Sequence, residues 1–270
     1  MAAARKWIGS LLLGLPEPLR SLRNLPVLGK LAHRLSHRIL PSDEKVWARV
    51  ERGPGEGLWL ELNPRTGQQY LRGEVEPAIQ EILSKRLKPG MVFYDLGANI
   101  GFFSLLAARL VGAAGQVFSF EPDPEIASRL RRNIARNGFT NATVIEAGVW
   151  SASGDLIFVA ADQSSPDRGV GKFVAGESAE AGTPTRCVAL DGFFHSAPAP
   201  DVIKCDVEGA EIEVFRGAAK LLEARHPIII CEMHSDANDK FLREYFGRFG
   251  YRLESVDDLH VLALPRLVAK

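Results

Sequence analysis

Residues 91–104 read Met-Val-Phe-Tyr-Asp-Leu-Gly-Ala-Asn-Ile-Gly-Phe-Phe-Ser, and the fold can be argued outward from this stretch. An apolar strand runs into a turn that contains Gly97 and Gly101, and an alanine-rich apolar helix follows. Glycine takes positive φ at little cost and lets the backbone come close to a ligand. The free N–H groups at the start of the next helix suit an anionic group. The stretch therefore predicts a ligand-binding turn between a strand and a helix.

A second apolar segment, Gln116–Phe120, ends in the acid Glu121. An acid at the end of a neighbouring parallel strand accepts hydrogen bonds from ribose hydroxyls, so the two segments predict a site for a ribose and an adenine. The glycine spacing differs from that of the dinucleotide fingerprint, which would also need glycine where Asn99 and Phe102 stand. A purely structural turn between strand and helix is the alternative.

From residue 92 onward, strand-like and helix-like segments alternate, which is typical of a parallel sheet covered on both faces. The predicted strands of this sheet are 92–95, 117–121, 142–147, 202–206 and 227–232. The predicted helices are 76–87, 101–110, 124–137, 211–222 and 239–249. Further strand-like runs at 156–160 and 185–190 enclose a long loop, 162–184, and segments 251–256 and 260–264 predict a closing antiparallel hairpin. The fold class is α/β, a Rossmann-like doubly wound sheet with that hairpin at its end.

The chain before this core is predicted to hold two further parts. A basic helical extension covers residues 1–50, and the main domain covers 51–270, with a hairpin over 58–71 and a core over 76–270. Residues 1–40 carry seven basic side chains and one acidic side chain, a charge of plus six. We hypothesise that short amphipathic helices in 1–40 make a peripheral contact with a membrane surface. A helical cap packed on the core is the alternative.

Composition limits the classes of function. The net charge of zero gives no reason to expect a nucleic-acid partner. The three cysteines show neither paired nor zinc-like spacing, which is typical of a reducing compartment. No apolar stretch approaches the roughly 20 residues needed to span a bilayer, and the N-terminal segment lacks an evident signal-cleavage site. We expect a cytoplasmic protein, with any membrane contact at the cytoplasmic face.

Acids and a histidine follow two later strands. Residues 203–211 read Ile-Lys-Cys-Asp-Val-Glu-Gly-Ala-Glu, and residues 231–234 read Cys-Glu-Met-His. Because ligands of open α/β sheets bind at the carboxyl edge, we expect Asp206, Glu232 and His234 to lie together there. Lys204 could be a structural ion-pair partner or a functional group. Glu211 is interpreted as an acid that favours the start of a helix.

Together these segments resemble the FkbM family of class I S-adenosylmethionine-dependent methyltransferases. The resemblance rests on the Asp-x-Gly-x-Asn-x-Gly motif at 95–101, on Glu121-Pro122, on the 203–211 motif, on Gly217 and Pro227, and on Glu232-x-His234. It implies a class I fold that binds S-adenosylmethionine. Family members with assigned activity mostly methylate hydroxyls of sugars and of polyketide or related natural products, which implies O-methylation of a small-molecule or glycan acceptor.

The resemblance also implies roles for individual residues. The methionine carboxylate of the cofactor would lie near the turn 97–101, its ribose at Glu121, its adenine near residues 146–150, and its sulfonium end at Asp206. The predicted cofactor-binding residues are Asp95, Gly97, Asn99, Gly101, Glu121, Gly148 and Asp206.

The catalytic candidates are Asp206, Glu208, Glu232 and His234, one of which would remove the hydroxyl proton. His234 has the ordinary pKa best suited to that step near neutrality. Asp206 and Glu232 are also candidates to share a divalent metal that acidifies the hydroxyl.

Two other classes of function stay open at this point. One is a nucleotide-dependent oxidoreductase, which Phe102 and the closing hairpin disfavour. The other is a non-catalytic binding domain on the same fold, since a fold does not prove an activity. The acceptor cannot be read from the residues, because the long loop 162–184 belongs to no recognised motif.

Overall fold

The structure is a computed structural model that describes residues 45–63, 66–159, 171–174 and 182–266. The chain divides into two compact units, one up to Val75 and one from Glu76 onward. The predicted basic extension over 1–50 lies outside the described residues, except for 45–50. Within the described part of the chain, no helix combines the length and apolar character that crossing a membrane requires.

The first unit contains a hairpin, but its strands differ from the predicted ones. Strand β1 (Val46–Arg49) pairs antiparallel with β2 (Trp59–Leu62), and Gln68–Leu71 forms a short helix, α1. The predicted pairing within 58–71 is therefore wrong. The chain does turn between Asn63 and Gly67, since the Gly67 N–H donates a hydrogen bond to the Asn63 carbonyl at 2.8 Å. The chain then coils into a helix instead of returning as a strand, and this buries Leu71.

The second unit has strands and helices in alternation, followed by two strands at the end. Its strands are β3 (Val92–Leu96), β4 (Gln116–Phe120), β5 (Ala142–Ile145), β6 (Gly148–Val149), β7 (Gly154–Val159), β8 (Lys172–Val174), β9 (Thr183–Val188), β10 (Val202–Cys205), β11 (Ile228–Glu232), β12 (Tyr251–Ser255) and β13 (His260–Pro265). Its helices are α2 (Pro77–Arg86), α3 (Phe102–Val111), α4 (Pro124–Arg136), α5 (Leu190–Phe193), α6 (Glu211–Arg216), α7 (Ala219–Arg225) and α8 (Asp236–Arg248).

Seven of these strands form the main sheet, in the order β12-β13-β11-β10-β3-β4-β5. The five from β11 to β5 are parallel, and β13 pairs antiparallel with both β11 and β12. This confirms the predicted Rossmann-like sheet with a closing antiparallel hairpin. The strand β13 inserted before β12 also separates this sheet from the 3-2-1-4-5-6 order of dinucleotide-binding domains.

A second sheet of four short strands, in the order β6-β9-β7-β8, was not predicted as a sheet. Strand β6 follows β5 within three residues, so both sheets lie close to the end of β5. Strand β8 falls inside the predicted long loop 162–184, whose remaining residues lie outside the described ones except for 171 and 182–184.

The helix boundaries follow local capping and packing. Asp123 accepts hydrogen bonds from two N–H groups of α4, and Ser235 accepts one from α8, which starts three residues earlier than predicted. The single helix predicted over 211–222 is instead two helices, α6 and α7, separated at Gly217. A Cβ at Gly217 would lie 2.2 Å from the carbonyl oxygen of Trp150, so close packing against that backbone accompanies the break.

Candidate active site

The turn after β3 brings two strand ends into contact. Gly97 has φ of +78° and Gly101 has φ of +90°. A Cβ on Gly97 would lie 1.7 Å from the Asp206 carbonyl oxygen, and one on Gly101 would lie 2.0 Å from Leu130 Cδ1. Position 97 must therefore be glycine for the ends of β3 and β10 to touch. Gly101 has a different role, because its missing side chain makes room for helix α4.

Glu121 follows β4 and is braced by backbone on both oxygens. Its Oε2 accepts the Asn99 N–H at 2.9 Å, and its Oε1 accepts the Asp123 N–H at 2.9 Å. Burial raises the pKa of Glu121 to about 7, although these two N–H groups oppose the shift. Each carboxylate oxygen can accept more than one hydrogen bond, so the fixed carboxylate retains acceptor capacity for two hydroxyls.

Asp95, predicted as a cofactor-binding residue, does not line the cleft described next. It is 1% exposed, and its Oδ2 accepts a hydrogen bond from Ser104 of α3, which in turn is bonded to Ser119 of β4. Burial raises the pKa of Asp95 to about 6. The Asp95 side chain thus links β3 to α3 below the turn. It is buried there and does not contact the cleft.

A cleft enclosing about 630 Å³ of space opens at the carboxyl ends of β3, β4 and β10. The cleft is lined by Gly97, Asn99, Phe120, Glu121, Pro122, Ala147, Gly148, Val149, Phe158, Gly171, Phe173, Asp206, Val207, Glu208 and Ala210. It therefore contains five of the seven predicted cofactor-binding residues, while Asp95 and Gly101 do not line it.

The aromatic wall of the cleft was not predicted from the sequence. Phe158 and Phe173 come from β7 and β8, and their ring centroids lie 5.1 Å apart. A Cβ at Gly148 would lie 2.3 Å from the Phe173 ring, so glycine at 148 lets this ring reach the cleft. Phe173 belongs to the predicted loop, and a lone aromatic residue in a Ser- and Gly-rich segment gives little signal of a pocket wall.

The predicted reaction centre is brought together at the edge of the cleft. Nε2 of His234 lies 3.3 Å from Glu208 Oε2, 3.7 Å from Glu232 Oε1 and 3.8 Å from Asp206 Oδ1. Asp206 and Glu208 line the cleft, whereas Glu232 and His234 are not among its lining residues. All four catalytic candidates therefore form one cluster, centred on the imidazole.

Glu211 belongs to this cluster too, which the sequence interpretation missed. Its side chain is fully buried, and its Oε1 lies 2.8 Å from Nδ1 of His234 and accepts the Gly209 N–H at 2.9 Å. Its Oε2 accepts a hydrogen bond from the Asn238 amide. The residue is thus an orienting partner of His234 as well as an acid in the first turn of α6. Its place three residues after Glu208, within the recognised motif, was the available signal.

The acids around His234 change its proton affinity. Hydrogen bonds to Glu208 and Glu211 raise the pKa of His234 to about 11, despite partial burial. The expectation that His234 titrates near neutrality is therefore wrong, because several carboxylates surround the ring and stabilise the imidazolium. With its pKa raised to about 11, His234 is a cation between acids at pH 7.

Lys204 is a buried ion-pair partner. It is 2% exposed, and its Nζ lies 3.0 Å from Asp206 Oδ2, 3.6 Å from Glu76 Oε2 and 4.7 Å from the ring centroid of Phe103. Burial opposes the charge, yet Asp206 and Glu76 outweigh it and raise the pKa of Lys204. Burial alone would raise the pKa of Asp206, but the nearby Lys204 ammonium has the larger, opposite effect. The pKa of Asp206 therefore lies below its usual value.

The residues predicted to share a divalent metal, Asp206 and Glu232, also lie close together. Asp206, Glu232 and His234 offer ligand atoms that lie within 4.8 Å of one another. Lys204 already holds one oxygen of Asp206, which weakens that carboxylate as a metal ligand.

Comparison with known proteins identifies similar chains. A family model described as the methyltransferase FkbM domain matches residues 95–253. The hexuronic acid methyltransferase AglP of Haloferax volcanii is 30% identical over 172 residues, which are 63% of this chain and 66% of that protein. The 31-O-demethyl-FK506 methyltransferase FkbM of Streptomyces tacrolimicus is 38% identical over 98 residues, which are 36% of this chain and 32% of that protein.

Among solved structures, a methyltransferase FkbM from Methylobacillus flagellatus superposes with a TM-score of 0.49 at 17% identity, over 73% of this chain and 52% of that one. The chain thus spans less than two thirds of the length of each of these relatives.

Proposed function

The chain belongs to the FkbM family of methyltransferases, and on that premise we propose that it transfers the methyl group of S-adenosylmethionine to a hydroxyl of a sugar or glycan. One observation carries this proposal: a single cleft joins the braced carboxylate Glu121 to the acids Asp206 and Glu208 of the His234 cluster. One end of the cleft suits a ribose, and the other end suits a hydroxyl that must lose a proton.

The donor set of the cleft fits S-adenosylmethionine. The Glu121 carboxylate would accept the ribose hydroxyls, and Phe158, Phe173 and the glycine at 148 would enclose the adenine. The turn that starts at Gly97 would hold the amino-acid end. When bound, the cofactor supplies a methyl group on a positively charged sulfur. The protein contributes chiefly by holding the acceptor hydroxyl in line with that group, and such positioning can be worth about 7–11 kcal/mol.

Glu208 is the residue we assign to receive the hydroxyl proton. It lines the cleft, and unlike Asp206 its carboxylate is not held by the Lys204 ammonium. Glu208 also has φ of +54°, an unfavourable backbone conformation for a residue with a side chain, which supports a functional position. His234 would hold Glu208 and Asp206 in place through Nε2, with Glu211 fixing the ring through Nδ1.

A divalent metal at Asp206 and Glu232 stays a prediction. Their ligand atoms and that of His234 lie close enough together, but Lys204 competes for Asp206. Methyl transfer measured before and after treatment with a chelator would test it, since a metal that acidifies the hydroxyl would be required for turnover.

Relatives suggest the class of acceptor. One is named for hexuronic acid and one for 31-O-demethyl-FK506, so uronic-acid glycosides are the first acceptors to test. The chain would be incubated with isotopically labelled S-adenosylmethionine and a panel of uronic-acid glycosides, neutral glycosides and nicotinamide cofactors. We expect mass gains of one methylene on a glycoside. Reduction or oxidation of nicotinamide, or cofactor binding without transfer to any acceptor, would contradict the proposal.

We further propose that residues 1–40 hold the enzyme at the cytoplasmic face of a membrane, where a glycan acceptor on a lipid carrier would be found. The support is the charge of plus six in that segment, interleaved with apolar residues.

A further inference from the structure

A second histidine faces Glu232 from outside the cleft. His260 begins β13 and is the antiparallel register partner of Glu232 at the end of β11. Nε2 of His260 lies 3.5 Å from Glu232 Oε2 and 3.4 Å from Glu76 Oε2. Because Glu232 Oε1 faces His234, this one carboxylate turns a different oxygen toward each imidazole.

The His260 ring is buried, and only one of its two nitrogens makes a hydrogen bond within the described residues. The residue is 5% exposed, and its Nδ1 lies 2.8 Å from the Asp257 carboxylate. In the described part of the chain, neither its Nε2 nor Glu76 Oε2 has a hydrogen-bond partner. An ionised carboxylate can only accept, so Nδ1 carries a proton. Nε2 faces two further carboxylates that call for a cation beside them, either a second proton on the ring or a metal ion bound by Nε2.

We propose that Glu76, Glu232 and His260 bind a Zn²⁺ ion. Bonds of about 2.0–2.2 Å to zinc set the ligands of a tetrahedron about 3.3–3.6 Å apart. The separations of His260 Nε2 from Glu76 Oε2 and Glu232 Oε2, 3.4 and 3.5 Å, fall in that range. Ligand atoms from the three side chains lie within 4.8 Å of one another, and a water molecule would complete the tetrahedron.

The surroundings of the three ligands suit a metal. Metal-bound histidines usually donate their other ring N–H to a carboxylate, which is the role that Asp257 has here. Glu76 is the residue before α2, yet its side chain makes no cap hydrogen bond and points to His260 instead. Its φ of +39° is unusual for a residue with a side chain, and strained residues of this kind cluster at functional sites.

Lys204 is the cation that zinc would have to tolerate. It lies 3.6 Å from Glu76 Oε2 but closer, at 3.0 Å, to Asp206. Zinc with Glu76 and Glu232 is neutral overall, and so is Lys204 with Asp206, so both cations retain a counter-charge. The triad of Asp206, Glu232 and His234 suits zinc less well, because its separations from Nε2, 3.7 and 3.8 Å, exceed the tetrahedral range.

A bound zinc ion would stabilise one edge of the sheet by cross-linking three elements. It would tie the start of α2 and the first residue of β13 to the end of β11, and it would fix Glu232 beside His234. The proposed methyl transfer does not require it, so the two proposals can fail separately.

Zinc titration of the untagged full-length chain, freed of metal, tests the site. Calorimetry should give one tight Zn²⁺ per chain for the native protein and for His195→Ala, an exposed histidine far from the cluster in sequence. His260→Ala and Glu76→Gln should lose that site. Asp257→Asn should weaken binding by about 10–100-fold, the usual effect of removing a partner of a ligating histidine.

His234→Ala separates the two triads, since it should leave zinc affinity within a few-fold of native. Circular dichroism without zinc checks that each variant is folded, and Glu76→Gln and Asp257→Asn decide the question if His260→Ala does not fold. A native chain that binds no zinc would overturn the proposal, because His260 would then be a protonated ion-pair partner of Glu76 and Glu232. Loss of zinc in His234→Ala but not in His260→Ala would overturn it as well.

Discussion

At the scale of single residues, Glu121 joins the backbone to the ligand site. If its carboxylate accepts the ribose hydroxyls, Glu121→Ala should weaken binding of S-adenosylhomocysteine by about 1–3 kcal/mol, the cost of losing a charged hydrogen-bond partner. The native affinity should also rise as pH increases from 5.5 to 8, because the carboxyl with its pKa raised to about 7 must ionise to accept both hydroxyls. Calorimetry across this range measures both effects.

Nearby charges must be separated from that pH effect. Asp123 and Arg129 act on the Glu121 pKa in opposite directions, and Asp95 has its own pKa raised to about 6. Glu121→Ala retains all three groups, so any pH dependence that it keeps does not come from Glu121. Equal pH dependence in the native and variant chains, or unchanged affinity in a folded Glu121→Ala, would remove Glu121 from the ribose site.

Glu208→Gln tests the proposed base. The amide keeps the size of the side chain but cannot take a proton, so turnover should fall by about 10²–10⁴-fold. Binding of S-adenosylhomocysteine should change little, since Glu208 is assigned to the acceptor and not to the ribose. Steady-state rates and calorimetry on the same preparations measure the two quantities, with the exposed Glu223→Gln as the control variant. Full turnover by Glu208→Gln would assign the base elsewhere.

Gly97 and Gly90 form a matched pair for the packing of the turn. Both have positive φ, +78° and +89°, but a Cβ on Gly90 would meet no atom within 4 Å. Gly90→Ala should cost about 1–2 kcal/mol of stability for the left-handed backbone alone. Gly97→Ala should cost about 1–3 kcal/mol more, because the Asp206 backbone must move away. Urea unfolding of both variants measures the difference, and equal losses would mean that the strand ends are not in contact.

How far a residue's role can be predicted depends on where its partners come from. Asp206, Glu232 and His234 follow strands that a parallel sheet brings to one edge, so their meeting could be predicted. The raised pKa of His234 could not, because it depends on Glu211 and Glu208 turning toward the same ring. Side-chain direction at a helix start is set by packing, which the sequence pattern does not express.

At the scale of elements, helix α7 is capped by a residue from another helix. Asp191 of α5 accepts the N–H groups of Lys220 at 3.1 Å and Leu221 at 2.9 Å, while Ala218 at the cap position offers no side-chain acceptor. Asp191→Ala should therefore lower the free energy of unfolding by about 0.5–2 kcal/mol, and Asp191→Asn by less. Urea unfolding compares both with Asp258→Ala, an exposed acid. An Asp191→Ala loss no larger than that of Asp258→Ala would contradict the capping.

Element boundaries were predicted well where local chemistry sets them. Asp123-Pro124 fixed the start of α4, because a side-chain cap and proline both act within one turn. The break at Gly217 and the helix at 68–71 escaped prediction, since each depends on a neighbour distant in sequence or on burial. Glycine at 217 gave a hint, but glycine within a helix-like pattern is often tolerated.

At the scale of the whole molecule, the main sheet follows from alternation alone. The alternation of strand-like and helix-like segments leaves few possible sheet topologies, because two parallel strands must be joined by a crossover, usually a helix. No helix-like segment separates the last two strands, so these two must pair antiparallel. The four-stranded sheet β6-β9-β7-β8 could not be predicted in the same way. Its strands are short, one has two residues, and their pairing skips along the chain, so no local pattern specifies it.

The charge of the whole chain is zero only because two regions cancel. Residues 1–40 carry plus six, so the remainder carries minus six. An anionic membrane should attract the first region at up to about 1 kcal/mol per basic residue near its surface, and salt should screen that attraction. We therefore expect the full chain to sediment with vesicles of phosphatidylcholine and phosphatidylglycerol at low salt, and to be released at high salt.

Vesicles of phosphatidylcholine alone are the control for uptake driven by apolar residues. Replacing Arg5, Lys6, Arg20 and Arg23 by glutamine in the full chain should lower binding to the anionic vesicles, because most of the positive charge of 1–40 is then gone. If the chain does not sediment with anionic vesicles at low salt, the alternative is favoured, in which residues 1–40 cap the core. In that case the same four substitutions should leave sedimentation unchanged.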